Sequence, residues 1–438
     1  MTYHKYKTEP LDCYPRAKEL RIGHFQDIMS AREQGKLLVG GSVTIGLYEI
    51  PAGLGDVVCF ADDEYAVSIA ADADFSTKAC AAAEARGFSR DICGYTLNYA
   101  GSMFLDRFLF GGRFPRPAFI FTEQNCDGRG KWAQIVADHL GIPLFIYEKP
   151  CRRAGQWTTQ HIEYLVAQFN EAIEWMEKVT GRRYDDEKLI EATRNYFRSA
   201  RLWGEICLLN RNIPAPIDAR ALVSLMAIPV GRRHEKVGVE FLEMLRDEVR
   251  YRIDNEIAAS SAERCRLMLE QVPPFAVLPL LRLTQDRYGI VWLGTIVYTG
   301  LYGEIEILED GTLAVAKTPE ERGMVFRTRE DALRALAESV ENSWIEQRIA
   351  YPVDVNPWYI ALVKHLRADG VLLDLTKSCP ANAASVPERK LAFQDAGIPV
   401  AMYESSASRP ADVDLGTIRS ILETFLEESM GLKQFPDR

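Results

Sequence analysis

The chain has 438 residues, of which 47% are hydrophobic and 26% charged; this is ordinary for a globular protein and too long for one compact core. A net charge of −10 without a long basic run argues against nucleic acid as the main partner. No stretch approaches the ~18 uninterrupted apolar residues of a membrane span, and the opening Met1–Lys7 is polar, so a soluble protein of the reducing cytoplasm is expected.

In chain order, the spacing predicts a helix from Tyr14 to about Gln34, then strands at Lys36–Gly40, Ser42–Ile50 and Asp56–Phe60. An Ala-rich helix follows at Ala79–Arg86, a strand at Pro117–Phe121, a helix at Lys131–Leu140 and a strand at Ile142–Tyr147. From His161 to Arg252 the pattern changes to long amphipathic helices. The first carries the stripe Ile162, Leu165, Val166, Phe169, Ile173, Trp175, Met176 and Val179; Gly181 ends it and Asp185 begins the next. The α/β pattern returns near residue 275, with apolar runs at Phe275–Leu281 and Ile290–Leu293. Then come a strand at Asp369–Leu375, a helix at Pro387–Asp395, a strand at Gly397–Tyr403 and a closing helix at Leu415–Leu432. Strands alternating with helices imply parallel sheets. The expected organisation is α/β: an N-terminal helical segment (1–35), a first α/β domain (36–160), a helical insertion (161–272) and a second α/β domain (273–438).

Two segments share a design. Trp132–Tyr147 and Glu388–Tyr403 each run helix, Gly-Ile-Pro, apolar strand, Tyr-Glu, and a cysteine loop precedes each helix. Those loops hold Cys126 and Cys379, each just past the end of a buried strand, where open α/β sheets place their ligand chemistry. Two copies of one unit, facing each other by their strand ends, would bring these distant cysteines together. Cys93, followed by Gly94, is the third loop cysteine.

The nine cysteines include no CxxC pair and no Cys/His zinc spacing. Cys13, Cys59, Cys80, Cys151, Cys207 and Cys265 read as small buried hydrophobes. Cys93, Cys126 and Cys379 read as soft metal ligands, suited to iron–sulfur, zinc or copper(I). Three converging thiolates would leave one iron of a cluster without a protein sulfur. Tyr95, Tyr99, Glu123 and Asp127 adjoin these ligands in sequence and are candidates for proton transfer, against capping or packing roles. Arg129, Lys131, Arg152 and Arg153 are candidates for phosphate contact, against simple surface solvation. Arg182-Arg183 and Arg232-Arg233 are further basic pairs open to the same two readings.

These residues resemble the 2-hydroxyacyl-CoA dehydratase / benzoyl-CoA reductase family over nearly the whole chain. The matching stretches are 91–99, 125–132, 141–145, 175–184, 369–373 and 377–380, with the tail from Ala396 through Arg419, Phe425 and Leu426. Asp12–Leu20 and the Cys379-Pro-Ala-Asn loop look most like the larger catalytic subunit of its class I, ATP-dependent benzoyl-CoA reductase branch; dehydratase subunits are the close competitor. The resemblance implies two flavodoxin-like or Rossmann-like domains and a 4Fe–4S cluster on Cys93, Cys126 and Cys379. It also implies an aromatic acyl-CoA substrate, a homologous second catalytic subunit, and an ATP-hydrolysing iron–sulfur activator fed by ferredoxin. No GxxxxGK[ST] loop is present, in keeping with ATP hydrolysis on another chain. A non-catalytic iron–sulfur carrier or scaffold is the reading from a different class.

Overall fold

The computed structural model describes residues 6–42, 48–150, 158–271, 275–343, 351–406 and 408–436. Eight strands build two sheets. The first contains β1 (Leu37–Gly41), β2 (Val57–Ala61), β3 (Phe119–Gln124) and β4 (Leu144–Glu148), every pair parallel, in the order β2-β1-β3-β4. The second contains β5 (Cys265–Leu269), β6 (Ile290–Thr295), β7 (Gly370–Thr376) and β8 (Val400–Ser405), again all parallel, in the order β8-β7-β5-β6. In both, the first strand lies between the second and the third. The chain therefore repeats one flavodoxin-like arrangement twice, as the shared helix-and-strand design of the sequence implied.

Parallel strands are covered on both faces, so they read as nearly continuous apolar runs. In the first sheet Val39, Phe119 and Phe121 pack on one face, while Leu38, Val58, Phe60 and Ile120 pack on the other. In the second, Met268, Val291, Val371 and Leu373 alternate with Leu267, Leu269, Trp292 and Leu372. The period of two places each set in its own core.

Between the sheets run the helices Thr159–Thr180, Asp186–Leu209 and Lys236–Asp254. Gly181 closes the first in the left-handed region (φ 67°), and the Asp185 side chain caps the second by accepting from the amides of Glu187 and Lys188. The predicted stripe is buried except at Trp175, which is half-buried, and Val179, which is exposed.

Three expectations are corrected. The described part of the predicted Ser42–Ile50 strand, at Glu49–Ala52, is a helical turn, and residues 43–47 lie outside the described residues. The second sheet starts at Cys265 rather than near 275, and Leu278–Tyr288 is a helix. β5 escaped notice because Arg266 interrupts its apolar run; that side chain is buried, donating to the carbonyls of Asn210, Leu366 and Arg367. The helix Asp62–Ala70 directly follows β2, in a segment without a clear helical stripe in the sequence.

Candidate functional site

Each of the three loop cysteines stands immediately before a helix: Cys93 before Gly94–Phe104, Cys126 before Asp127–Leu140 and Cys379 before Pro380–Ala383. Cys126 and Cys379 follow β3 and β7, the corresponding third strands of the two sheets, at the point where strand order reverses. The first turn of a helix directs amide N–H groups toward its start and favours negative charge there, which suits a thiolate.

Backbone contacts bring the three loops together. The amide of Gly94 donates to the carbonyl of Ser378 at 3.0 Å, joining the Cys93 loop to the Cys379 loop. A Cβ placed on Gly94 would lie 1.6 Å from Ser408 Oγ, so only glycine permits this approach of the two domains. The Ser408 carbonyl accepts from Ser76 Oγ (2.6 Å) and Asn98 Nδ2 (3.1 Å), holding that joint from the other side. A Cβ placed on Gly128 would lie 3.6 Å from Cys93 Cβ, putting the Cys126 turn beside Cys93.

All three cysteines line one cavity of about 850 Å³, at the upper end of the volumes usual for ligand sites. Of the six cysteines read as packing residues, five (Cys13, Cys59, Cys80, Cys207 and Cys265) are buried, and Cys151 lies outside the described residues. The N-terminal helix contributes Ile22, Phe25 and Met29 to the cavity, the helical region Val223, Met226 and Val230, and the helix Ile296–Tyr302 contributes Val297, Tyr298, Leu301 and Tyr302. Ile22, Met29 and Phe110 are exposed apolar side chains of this wall.

Polar groups gather at the cysteine end. Arg129 is tucked in beside Cys126, with Nη1 2.6 Å from Asp62 Oδ1 and Nη2 3.1 Å from Asp63 Oδ2, and its guanidinium lies 5.0 Å from the Trp132 ring centre. Burial works against its charge, but the two carboxylates more than offset that and hold Arg129 protonated. Burial likewise pushes the Asp62 carboxyl up, against the pull of Arg129. Burial raises the Cys93 thiol, opposed by the amides of Thr96 and Tyr95, the Thr96 hydroxyl and the charge of Arg129. Arg129 Nε and Trp132 Nε1 have no hydrogen-bond partner among the described residues, leaving two buried donors on the wall of a cysteine-lined space.

Tyr95 lines the cavity; burial raises its hydroxyl, reinforced by the nearby Tyr298, Cys379 and Cys93, so it stays a neutral donor. Tyr99 instead packs in the core, edge-on to Trp132 at 5.4 Å between ring centres. Glu123 is buried in β3, where it accepts from Tyr147 Oη at 3.2 Å, and is absent from the cavity wall. Asp127 opens its helix, and its side chain lies outside the described residues, as do Arg152 and Arg153.

Lys131 is exposed, whereas Arg129 is half-buried and paired, so neither surface solvation nor a free phosphate contact describes it. The other basic pairs also serve the fold: Arg182 donates to three carbonyls including Gly35 O, and Arg233 is buried against Glu49 at 3.0 Å. Sequence reasoning missed Asp63, Glu64, Tyr298 and Tyr302. Glu64 is held 3.2 Å from the buried His24, a contact between helices that spacing along the chain does not reveal.

Among the described residues no three His, Cys, Asp or Glu side chains crowd round a single point, as one metal ion with ~2.3 Å bonds to sulfur would need. Thiols distributed over the wall of a cavity can instead serve a group with the bulk of a cluster.

A family model described as 2-hydroxyglutaryl-CoA dehydratase, D-component, matches residues 49–428. The alpha subunit of (R)-2-hydroxyglutaryl-CoA dehydratase from Acidaminococcus fermentans is 24% identical over 72% of this chain, a match spanning 60% of that relative. The (R)-2-hydroxyisocaproyl-CoA dehydratase alpha subunit from Clostridioides difficile is 24% identical over 90% of each chain. A benzoyl-CoA reductase subunit from Thauera aromatica is 21% identical over 94% of this chain and 93% of its own.

Proposed function

Since the chain belongs to the 2-hydroxyglutaryl-CoA dehydratase D-component family, we propose that it is a catalytic iron–sulfur subunit acting on an acyl-CoA thioester. Cys93, Cys126 and Cys379 would hold a 4Fe–4S cluster. The observation that carries this reading is the lining of one cavity by the three cysteines, two of them at equivalent strand ends of a repeated unit. The unpartnered donors Arg129 Nε and Trp132 Nε1 suit the acceptor-rich surface of such a group. When bound, the cluster supplies low-potential one-electron chemistry beside an iron that has no protein sulfur.

The protein's own groups do the rest. Arg129, fixed by Asp62 and Asp63, places a permanent positive charge next to the anionic thiolates. The apolar walls exclude water and hold the acyl portion against the cysteine end. Tyr95, Tyr298 and Tyr302 offer hydroxyls in the cavity wall, and Glu64, steadied by His24, offers a carboxyl group there.

Dehydration of a 2-hydroxyacyl-CoA is the first reading of the reaction, from the family description and the two dehydratase relatives. Reduction of an aromatic acyl-CoA is the second, favoured by the match to the Thauera aromatica benzoyl-CoA reductase along almost all of both chains. A homologous second subunit over the exposed Ile22, Met29 and Phe110, an ATP-hydrolysing iron–sulfur activator and ferredoxin would complete the system in the cytoplasm. Among the described residues no helix is long and apolar enough to cross a membrane.

An anaerobic assay with both partners present, offering benzoyl-CoA and 2-hydroxyacyl-CoA thioesters in parallel, decides between the two reactions. Turnover of neither, by protein carrying its full iron, overturns the catalytic reading.

A further inference from the structure

We propose that a second, polar passage carries protons between the protein surface and the reaction cavity, with Glu304 as its relay. The inference rests on the functional reading above. Both reactions exchange protons with a cavity whose apolar walls exclude water.

The passage is a row of three spaces that share walls. Leu301 and Tyr302 line both the main cavity and a small chamber of about 20 Å³. Glu304 and Ile305 line both that chamber and a side cavity of about 320 Å³. A space of ~10–15 Å³ is enough for one water, so the chamber has room for one and the side cavity for several. Trp358, 1% exposed, also lines the chamber, and its indole N–H has no partner among the described residues; a chamber water would supply the missing acceptor.

Tyr302 and Glu304, both in the chamber wall, flank Gly303. A Cβ there would lie 2.6 Å from the Thr299 carbonyl oxygen and 2.9 Å from Gly204 Cα, so this tight crossing needs glycine. Glu304 is half-buried and accepts from Tyr196 Oη at 3.3 Å and from Ser339 Oγ, which are themselves 3.0 Å apart. Burial pushes its carboxyl upward, against Ser339, Tyr196 and the charge of Arg322, toward a group able to hold a transferable proton. The exposed Lys317 and Arg322 line the outer end. At the inner end the Tyr302 and Tyr298 rings lie 5.6 Å apart, in the same wall as Tyr95.

One cycle balances without moving electrons. The Glu304 carboxylic acid gives its proton to the chamber water, and that water passes another proton to Tyr302 Oη. Tyr302 releases its original proton into the cavity, and water in the side cavity reprotonates Glu304.

The test uses the anaerobically purified holoprotein with its partners. Glu304→Gln and Tyr302→Phe keep shape and packing, and each is expected to lower kcat by about tenfold or more. KM and cluster absorbance stay unchanged, and the solvent deuterium isotope effect on kcat rises. Glu309→Gln, in the exposed turn between the antiparallel strands Ile305–Ile307 and Leu313–Val315, leaves kcat at the wild-type value. In infrared spectra the wild type loses a carboxylic-acid band promptly on transfer to deuterium oxide, and Glu304→Gln lacks that band. Unchanged kcat in both relay variants, or a band that exchanges only on global unfolding, overturns the passage. Wild-type protein that turns over no acyl-CoA refutes the functional reading instead, and the infrared result alone then decides whether protons reach Glu304.

Discussion

Gly94→Ala probes the joint that brings the cysteines together. The new methyl would sit 1.6 Å from Ser408 Oγ, 2.7 Å from Ser408 Cβ and 3.1 Å from Ser378 Cβ. Rotating the Ser408 hydroxyl away removes only the first clash. The Ser408 backbone cannot retreat without stretching its bonds from Ser76 and Asn98. Overpacking of this kind costs about 1–3 kcal/mol, and weakening the Gly94-to-Ser378 bond adds about 1 kcal/mol. The better helix propensity of alanine returns at most about 1 kcal/mol. The net expectation is a loss of about 1–3 kcal/mol in urea unfolding under anaerobic conditions, together with a lower iron content as the Cys93 and Cys379 loops part. Gly94→Ala combined with Ser408→Gly should recover most of both. A single variant with wild-type stability and full iron would refute the close approach of the domains at this point.

Arg129→Met removes the counter-charge of the buried Asp62 and half-buried Asp63 and should cost about 3 kcal/mol by denaturant unfolding, partly recovered by adding Asp62→Asn. Asp374 is buried, with Ser405 Oγ 2.6 and 2.7 Å from its two oxygens, and burial pushes its carboxyl up to about 7. The native state therefore holds a proton there that the unfolded chain releases near its ordinary value of 3.8. The contribution is fully present below the unfolded value and is lost as pH rises toward 7, at up to about 1.4 kcal/mol per unit. Asp374→Asn should flatten that slope, read from urea midpoints at several pH values. Cys207→Ser, in a buried helical position away from the cavity, should cost stability while leaving bound iron unchanged.

What the sequence disclosed was the repeat and the strand ends. Gly-Ile-Pro followed by an apolar strand occurs twice, and each copy lands as the fourth strand of a sheet with the same order. Cys126 and Cys379 were legible because a loop after a buried parallel strand has a fixed place in such a sheet. Adjacency in sequence misled at Glu123, which pairs in register with Tyr147 inside the sheet and does not line the cavity. It misled again at Arg129, whose burial depends on Asp62 and Asp63 from a helix that a short, acidic, weakly periodic segment did not announce. Tyr298 and Tyr302, which line the cavity, and Glu304, which lies beyond it, belong to a helix and turn packed against Trp203 and Gly204 on the helix Asp186–Leu209, a long-range contact with no local signature. Arg266 hid β5 for the converse reason, since a buried arginine is legible only once the carbonyls that receive it are in place.

Iron analysis with Mössbauer spectroscopy, on anaerobically purified wild type and on Cys93→Ser, Cys126→Ser and Cys379→Ser, bears most directly on the three-thiol site. The wild type should carry about four irons per chain as one 4Fe–4S centre with a distinct iron lacking cysteine sulfur, and each serine variant should lose most of that iron while keeping its helical circular dichroism. Wild-type protein without iron, or serine variants that retain the full complement, would contradict it.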